Sequence, residues 1–300
     1  QDASASVLVG TVDMGQGSDT ILAQIAAEVL TIAPERVRVM GTDTTTTPYD
    51  TITAGSRSTY HAGNAVRLAA ERVAAQLLDM AAEVLDTDPA GLRVARGGVC
   101  RMGEDEVALA IPELLLAHFG AVGTTVTGEA THRTSWVPYD HDTGRSPKVT
   151  EHWFAGAVGA EVAVDRLTGR VTIDHLAVAA DVGRAINPAL VRQQLQGAAL
   201  MGIGHALFEE LAFDGGVPIN TTLLDYQVPS VRDLPRRFTP IIVEAPHRAG
   251  PYGAKGVGET GILALTPALG NAIRDAIGVR LRRLPMTPEA ILDALDRGEG

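Results

Sequence analysis

Glu259 closes the stretch Gly250-Pro251-Tyr252-Gly253-Ala254-Lys255-Gly256-Val257-Gly258-Glu259, in which a glycine recurs every two or three residues and Lys255 stands four residues before the carboxylate. A backbone this bare lets a reacting group approach closely, and a carboxylate held there can act as a general base. The same carboxylate also suits the start of a helix, where the helix dipole favours negative charge. Spacing leaves both readings open. Three further stretches carry comparable signals. Gly15-Gln16-Gly17 sits between a strand and a helix, where unpaired N–H groups suit a phosphate and the Gln16 amide can donate and accept hydrogen bonds; a plain tight turn is the other reading. Ala54-Gly55-Ser56-Arg57-Ser58 sets two hydroxyls and a cation beside a helix start, or else is a doubly capped terminus with Arg57 in solvent. Gly197, Gly202 and Gly204 fall on one long helix, where each costs about 1 kcal/mol relative to alanine, so close backbone approach is expected there.

Other chemistries find little support. The Gly15 loop matches neither GxGxxG, since position 20 is Thr, nor a Walker P-loop. The eight histidines form no HExxH and no pair four apart, so no protein metal ligand is expected. His141 reads as a surface loop residue, and His152 and His205 as packed side chains. The single cysteine, Cys100, excludes a disulfide framework and reads as a half-buried thiol. A net charge of −11 argues against a nucleic-acid partner. No apolar run approaches the ~20 residues of a membrane span, and no secretory signal is visible, so a cytoplasmic protein is expected. The chain opens at Gln1 and not at Met, which implies a trimmed, processed or omitted start.

The elements that must position these stretches follow from periodicity. Val7–Val12 reads as a buried strand, and a helix capped by Ser18 or Asp19 follows, with Ile21, Leu22, Ile25, Ala26 and Val29 on one face. Val37, Val39 and Met40 suggest a second strand. A polar run from Thr42 to Thr53, with a solvated Thr44–Thr47, leads to a long helix from Tyr60 to Leu85. Residues 86–134 read as short strands around a helix at Ile111–Phe119. Gly156–Asp165 and Val171–Val182 flank a hairpin turn, a helix runs from Pro188 to Glu209, and a last apolar helix carries Leu265, Leu269, Ala272 and Ile273. The loop Val137–Gly144 places a boundary between a first subdomain, 1–140, and a second, 141–300. The fold class is α+β with strands and helices intermixed.

Taken in order, VGTVDMGQGSDTILAQIAAEVL, TAGSRSTYHAGNAV, DVGRAINPALVRQQLQGAALMGIGHALFEEL and GPYGAKGVGE resemble the molybdopterin-binding subunit of the xanthine dehydrogenase family, over nearly the whole chain to LPMTPEAILDAL. The match is to the C-terminal half of that subunit, as in members that split it in two, such as nicotinate dehydrogenase. The resemblance implies two interlocked α+β subdomains forming the second molybdopterin-binding domain. It implies that Gln16 and Gly17 contact the pterin, and that Ala54, Gly55, Ser56, Arg57 and Ser58 hold the pterin and its phosphate. In the pattern QxxGxxxQG the last glutamine is Met201 here, followed by Gly202 as expected, so one polar pterin contact is replaced. Lys255, Gly256, Val257 and Gly258 match the loop beneath the metal, and Glu259 matches the catalytic glutamate. The implied reaction is hydroxylation of an electron-poor carbon of an N-heteroaromatic or aldehyde, with oxygen from water and Glu259 as base. The implied cofactor is molybdopterin cytosine dinucleotide, with the metal held by the pterin. The implied partners are a second molybdopterin-binding half-subunit, a 2Fe–2S iron–sulfur subunit and an FAD subunit. Two alternatives accompany this reading: a hydroxybenzoyl-CoA-type thioester reductase, and a non-catalytic chain completing a partner's cofactor cleft.

Overall fold

The structure, a computed structural model, describes residues 2–41 and 43–298. Thr42, the first residue of the expected polar run, lies outside the described residues. Contacts divide the chain into two compact units, Gln1–Trp153 with Pro246–Gly256, and Phe154–Ala245 with Val257–Gly300. The return of the 246–256 segment to the first unit has no counterpart in the sequence reading.

In the first unit, β1 (Ala5–Leu8) pairs in parallel with β2 (Val37–Met40), and α1 (Ser18–Leu30) crosses between them. β1 ends four residues earlier than its apolar run suggests. After the Val9 N–H donates to Met40 the chain leaves the ladder, and Gly10 passes so close to Pro48 and Asp50 that no side chain would fit. α1 starts at Gly17, which sits in the left-handed region at φ 81°; neither Ser18 nor Asp19 caps it as expected. α2 (Ser58–Leu85) packs along α1 and buries Tyr60, Gly63, Asn64, Val66, Ala70 and Leu77. Beyond it, β3 (Leu92–Ala95), β4 (Gly98–Arg101) and β5 (Val107–Ala110) form an antiparallel sheet leading into α3 (Ile111–Phe119). Cys100 is fully buried in β4, not half-buried, with its Sγ 3.9 Å from the Ala95 carbonyl.

The second unit holds the expected hairpin. β6 (Gly156–Val164) and β7 (Val171–Asp181) pair antiparallel across a turn in which Asp165 accepts the N–H groups of Leu167 and Thr168. α4 (Pro188–Leu207) follows with Asn187 as its cap, ending two residues short of the expected Glu209. A two-residue hairpin, β8 (Phe213–Asp214) and β9 (Val217–Pro218), precedes β10 (Arg237–Val243), which joins β7 in parallel at the edge of the sheet. An edge strand is where Pro240, lacking an N–H, can sit. The short α5 (Thr260–Leu263), α6 (Leu265–Ile277) and α7 (Pro288–Arg297) close the unit around Leu176, Leu195, Ile203, Leu265, Leu269 and Ile273.

The three glycines of α4 differ. A Cβ on Gly202 would lie 2.7 Å from the fully buried Leu265, and one on Gly204 would overlap Glu209, so both mark close approach. Gly197 is exposed, with nothing within 4 Å of such a Cβ among the described residues. Gly197→Ala should therefore raise unfolding stability by about 0.5–1 kcal/mol through helix propensity. Gly202→Ala should lower it by about 1–3 kcal/mol through overpacking. Urea titrations of the two variants against the parent chain check the opposite signs.

Candidate cofactor site

The loop before α1 is braced by its own carboxylate. Asp13 accepts the N–H of Gly15 at 2.8 Å and of Asp19 at 3.1 Å. Burial alone would raise its pKa, but donors from Asp19, Gly15, Gly17 and Ser18 outweigh it and hold the carboxyl below its ordinary value. This start of a helix is thus already occupied by an anion, which weighs against a phosphate there. Gln16 is turned into the same loop: its Oε1 accepts from Met14 N–H at 2.5 Å, and its Nε2 donates to the Val12 carbonyl at 2.9 Å and to Ser18 at 3.1 Å. Both amide protons are used, so Gln16 shapes the turn, and Gly17 supplies the left-handed residue the turn requires.

The start of α2 is different. Arg57 is its N-cap residue, no side chain caps the helix, and the terminus of a 28-residue helix offers its first N–H groups. Arg57 is not in solvent: it pairs with Asp50 at 2.6 Å and donates to the Ile52 carbonyl at 2.7 Å. Ser58 meets the buried Thr11 hydroxyl at 2.8 Å, which also lies 3.1 Å from Thr53 Oγ1. Ala54 and Gly55 are exposed. Gly55 and Ser56 both have left-handed backbones, at φ 65° and 55°. For Ser56 this costs about 1–2 kcal/mol. A side chain on Gly256 would overlap the Ser56 carbonyl, so the loops 54–58 and 250–256 touch backbone to backbone. Lys255 is partly buried beside that contact.

Val257, Gly258 and Glu259 belong to the second unit. Val257 packs on its core, while Gly258 and Glu259 are exposed. Glu259 is the N-cap residue of α5, without a side-chain cap bond. A four-residue helix carries little dipole, so the helix-start explanation for this carboxylate is weak. Thr260 beside it is 1% exposed, and its Oγ1 has no hydrogen-bond partner among the described residues. On α4, Met201 is 65% exposed while Gly202 is buried against Leu265, so only Met201 reaches the surface.

A cluster that sequence spacing hid lies behind the first unit's loops. The Tyr60 ring, fully buried, stacks on His152 at 4.0 Å and meets His61, His132 and His247 at 5.5 to 6.0 Å. His152 is thus packed, as expected, whereas His205 is exposed on α4. His132 Nε2 and His152 Nδ1 are buried without hydrogen-bond partners among the described residues. Burial, then the Arg57 charge, pushes His61 down to about 4, and burial likewise lowers His132 and His152. The only forward signal was Asn64, a polar residue on an apolar helix face. Among the described residues no group of three His, Cys, Asp or Glu can hold a metal ion.

A family model for the molybdopterin cofactor-binding domain matches residues 1–235. The chain belongs to this family. It is 35% identical over 300 residues to the “Probable hypoxanthine oxidase XdhD” of Escherichia coli K12, covering 99% of this chain and 30% of that protein. It is also 35% identical over 289 residues to the gamma subunit of the 6-hydroxypseudooxynicotine dehydrogenase complex of Paenarthrobacter nicotinovorans, covering 95% of this chain and 35% of that one. Among solved structures, quinoline 2-oxidoreductase from Pseudomonas putida 86 superposes with a TM-score of 0.82 at 27% identity, over 97% of this chain and 36% of that chain. The fold is that of the molybdenum-binding domains of molybdenum hydroxylases. The chain spans about a third of the length of the relatives it matches.

The residues present fit a molybdenum–pterin group. An added Cβ on Gly15 or Gly55, both at positive φ, would meet nothing within 4 Å among the described residues, and the start of α2 carries no side-chain cap. The buried histidines set a pH window. Unfolded imidazoles protonate near ~6.5. Above that pH the His61 ring is neutral in both states; as pH falls from ~6.5 towards its folded value of about 4, only the unfolded His61 gains a proton, so its contribution to stability falls, and the loss is complete below it. Asp13 and Glu151, both held below their ordinary values, add a further loss at the acid end of this window, where their unfolded carboxyls begin to take up protons. Melting temperatures from pH 7.5 down to 4 should drop more steeply for the parent chain than for His61→Gln.

Proposed function

We propose that this chain is the C-terminal half of the molybdenum-cofactor subunit of a molybdenum hydroxylase, acting on an electron-poor carbon of an N-heteroaromatic or aldehyde substrate. The observation that carries the reading is the backbone contact between Gly256 and Ser56, which joins two glycine loops inside a chain of the molybdopterin-binding family. When bound, the molybdenum–pterin group, in our reading the cytosine dinucleotide form, supplies the centre that takes two electrons from the substrate carbon. Gln16 and Gly17, the loop Ala54–Ser58, Met201 with Gly202, and the stretch Lys255–Gly258 would hold it. Gln16 contributes by fixing its loop, and Ala54–Ser58 by offering backbone N–H groups at the start of α2 to a phosphate.

Glu259 is the base. Its exposed carboxylate would take the proton from the water-derived oxygen as that oxygen bonds to the substrate carbon and later release it to solvent, while the C–H bond of that carbon breaks, its electron pair passing to the bound group and its hydrogen leaving finally as a second proton. Arg57 stays paired with Asp50 and orients the loop with little net charge. The partners proposed are a second molybdopterin-binding half-subunit, which supplies the rest of the substrate pocket, and 2Fe–2S and FAD subunits that carry electrons away. Among the described residues no helix is long and apolar enough to cross a membrane.

Glu259→Gln tests the assignment. The amide keeps size and reach but cannot take a proton, so substrate-driven reduction in a single turnover of the assembled enzyme should slow by about 10²–10⁴-fold. Molybdenum and pterin content, measured in the same sample, should stay at the parent level. A fully loaded Gln variant that reduces at the parent rate removes Glu259 from the chemistry, and an assembled enzyme without molybdenum or pterin removes the whole reading.

A further inference from the structure

Three residues on one face of α2 hold the loop that leads to Lys255 and Gly256. Tyr60, Gly63 and Asn64 follow at i, i+3 and i+4, so they share that face, and all three are buried. The Tyr60 hydroxyl lies 3.3 Å from His247 Nδ1, and the Ala249 N–H donates to the same nitrogen at 3.3 Å. Because Nδ1 accepts from Ala249, it is unprotonated, and Tyr60 must be a donor. Asn64 Nδ2 donates to the Ala249 carbonyl at 2.8 Å and to the Tyr60 carbonyl at 2.9 Å. The N–H and the C=O of Ala249 are therefore both anchored, one through His247 and one directly. Between them Gly63 makes the approach possible: a Cβ there would lie 2.9 Å from Ile25 Cδ1 and 3.1 Å from Pro251 Cγ. The loop is also braced within itself, by His247 N–H to Gly253, Gly250 N–H to His247, and Gly253 N–H to Gly250, each 3.0 Å. These bonds tie the loop into one piece, and α2 holds that piece at one end.

We propose that Tyr60, Asn64 and His247 are positioning residues, a clamp that sets the Lys255–Gly256 backbone against Ser56 before any cofactor arrives; this rests on the cofactor-binding reading of that loop. The same helix start that ends the loop 54–58 thus controls the loop 250–256, so both are registered to one rigid rod. The stacked ring of His152 fixes the Tyr60 ring from the side.

The test is amide hydrogen exchange, read by mass spectrometry on the assembled enzyme, in His247→Ala, His247→Asn and Tyr60→Phe. Losing one hydrogen-bonded anchor should speed exchange in peptides spanning 248–256 by about threefold to tenfold in His247→Ala, and by a smaller factor in Tyr60→Phe. Peptides from the middle of α2 should keep parent rates. His247→Asn should restore slow exchange, because an Asn oxygen can accept the N–H two residues on. A residue that only fills space predicts no rescue by Asn. Should His247→Ala fail to fold, Tyr60→Phe and His247→Asn still decide. The proposal is overturned if loop exchange in Tyr60→Phe equals the parent, if the Asn variant exchanges as fast as the Ala variant or faster than Tyr60→Phe, or if the rise is spread equally over α2. Molybdenum retained after gel filtration is measured alongside. A parent enzyme that holds none defeats the cofactor reading, while the exchange result still judges the clamp.

Discussion

The backbone of Gly256 rests on the Ser56 carbonyl with no space for even a methyl group, and the loops 54–58 and 250–256 of the first unit are arranged around that contact. Ser56 can sit there only with a left-handed backbone, which an L-residue adopts at a cost. Several neighbours impose it. Arg57 is drawn to Asp50 on one side, Ser58 to the buried Thr11 on the other, and Thr53 joins Thr11 from below. The Val12 N–H also donates to Thr53 at 3.0 Å. A hydroxyl trio and one glycine therefore bring together segments far apart in the chain, and the strain at Ser56 is held by the sum of them.

Electrostatics divides the labour between two helix starts. At α1, Asp13 takes the N–H groups of Gly15 and Asp19, and the Gln16 amide is spent on the shape of the loop. At α2 the long helix points an uncapped terminus at the loop Ala54–Ser58, and the guanidinium that would dominate its field is neutralised by Asp50. His61, His132 and His152 behind these loops stay uncharged near neutrality, with burial the largest cause in each.

In the second unit, glycines hold the base of Glu259 in place. A Cβ on Gly261 would lie 2.9 Å from Ala198, one on Gly156 would lie 3.0 Å from Thr260, and one on Gly202 would press on Leu265 and Ile262. The short α5 is thereby packed between the start of β6 and the middle of α4, and the residue before it, Glu259, is exposed. Position comes from tight packing beneath it, since the helix itself is too short to lend Glu259 a field.

Local rules were sufficient for much of this chain. The apolar faces of α1, α2 and α6, the β6–β7 hairpin and α3 lie where periodicity and turn residues put them, because each is decided by neighbours a few residues away. The four glycine-rich stretches stood out in composition, and two of them, 54–58 and 250–256, meet in the first unit. Tertiary structure decided what local rules could not. The early end of β1 depends on Gly10 meeting Pro48, the harbouring of Arg57 depends on Asp50, and the fate of each α4 glycine depends on what lies opposite. The Tyr60 cluster draws on positions 60, 61, 132, 152 and 247, a set with no spacing to recognise. Short-range order in a sequence carries helices and turns; contacts that close over a hundred residues or more are set only when the whole chain packs.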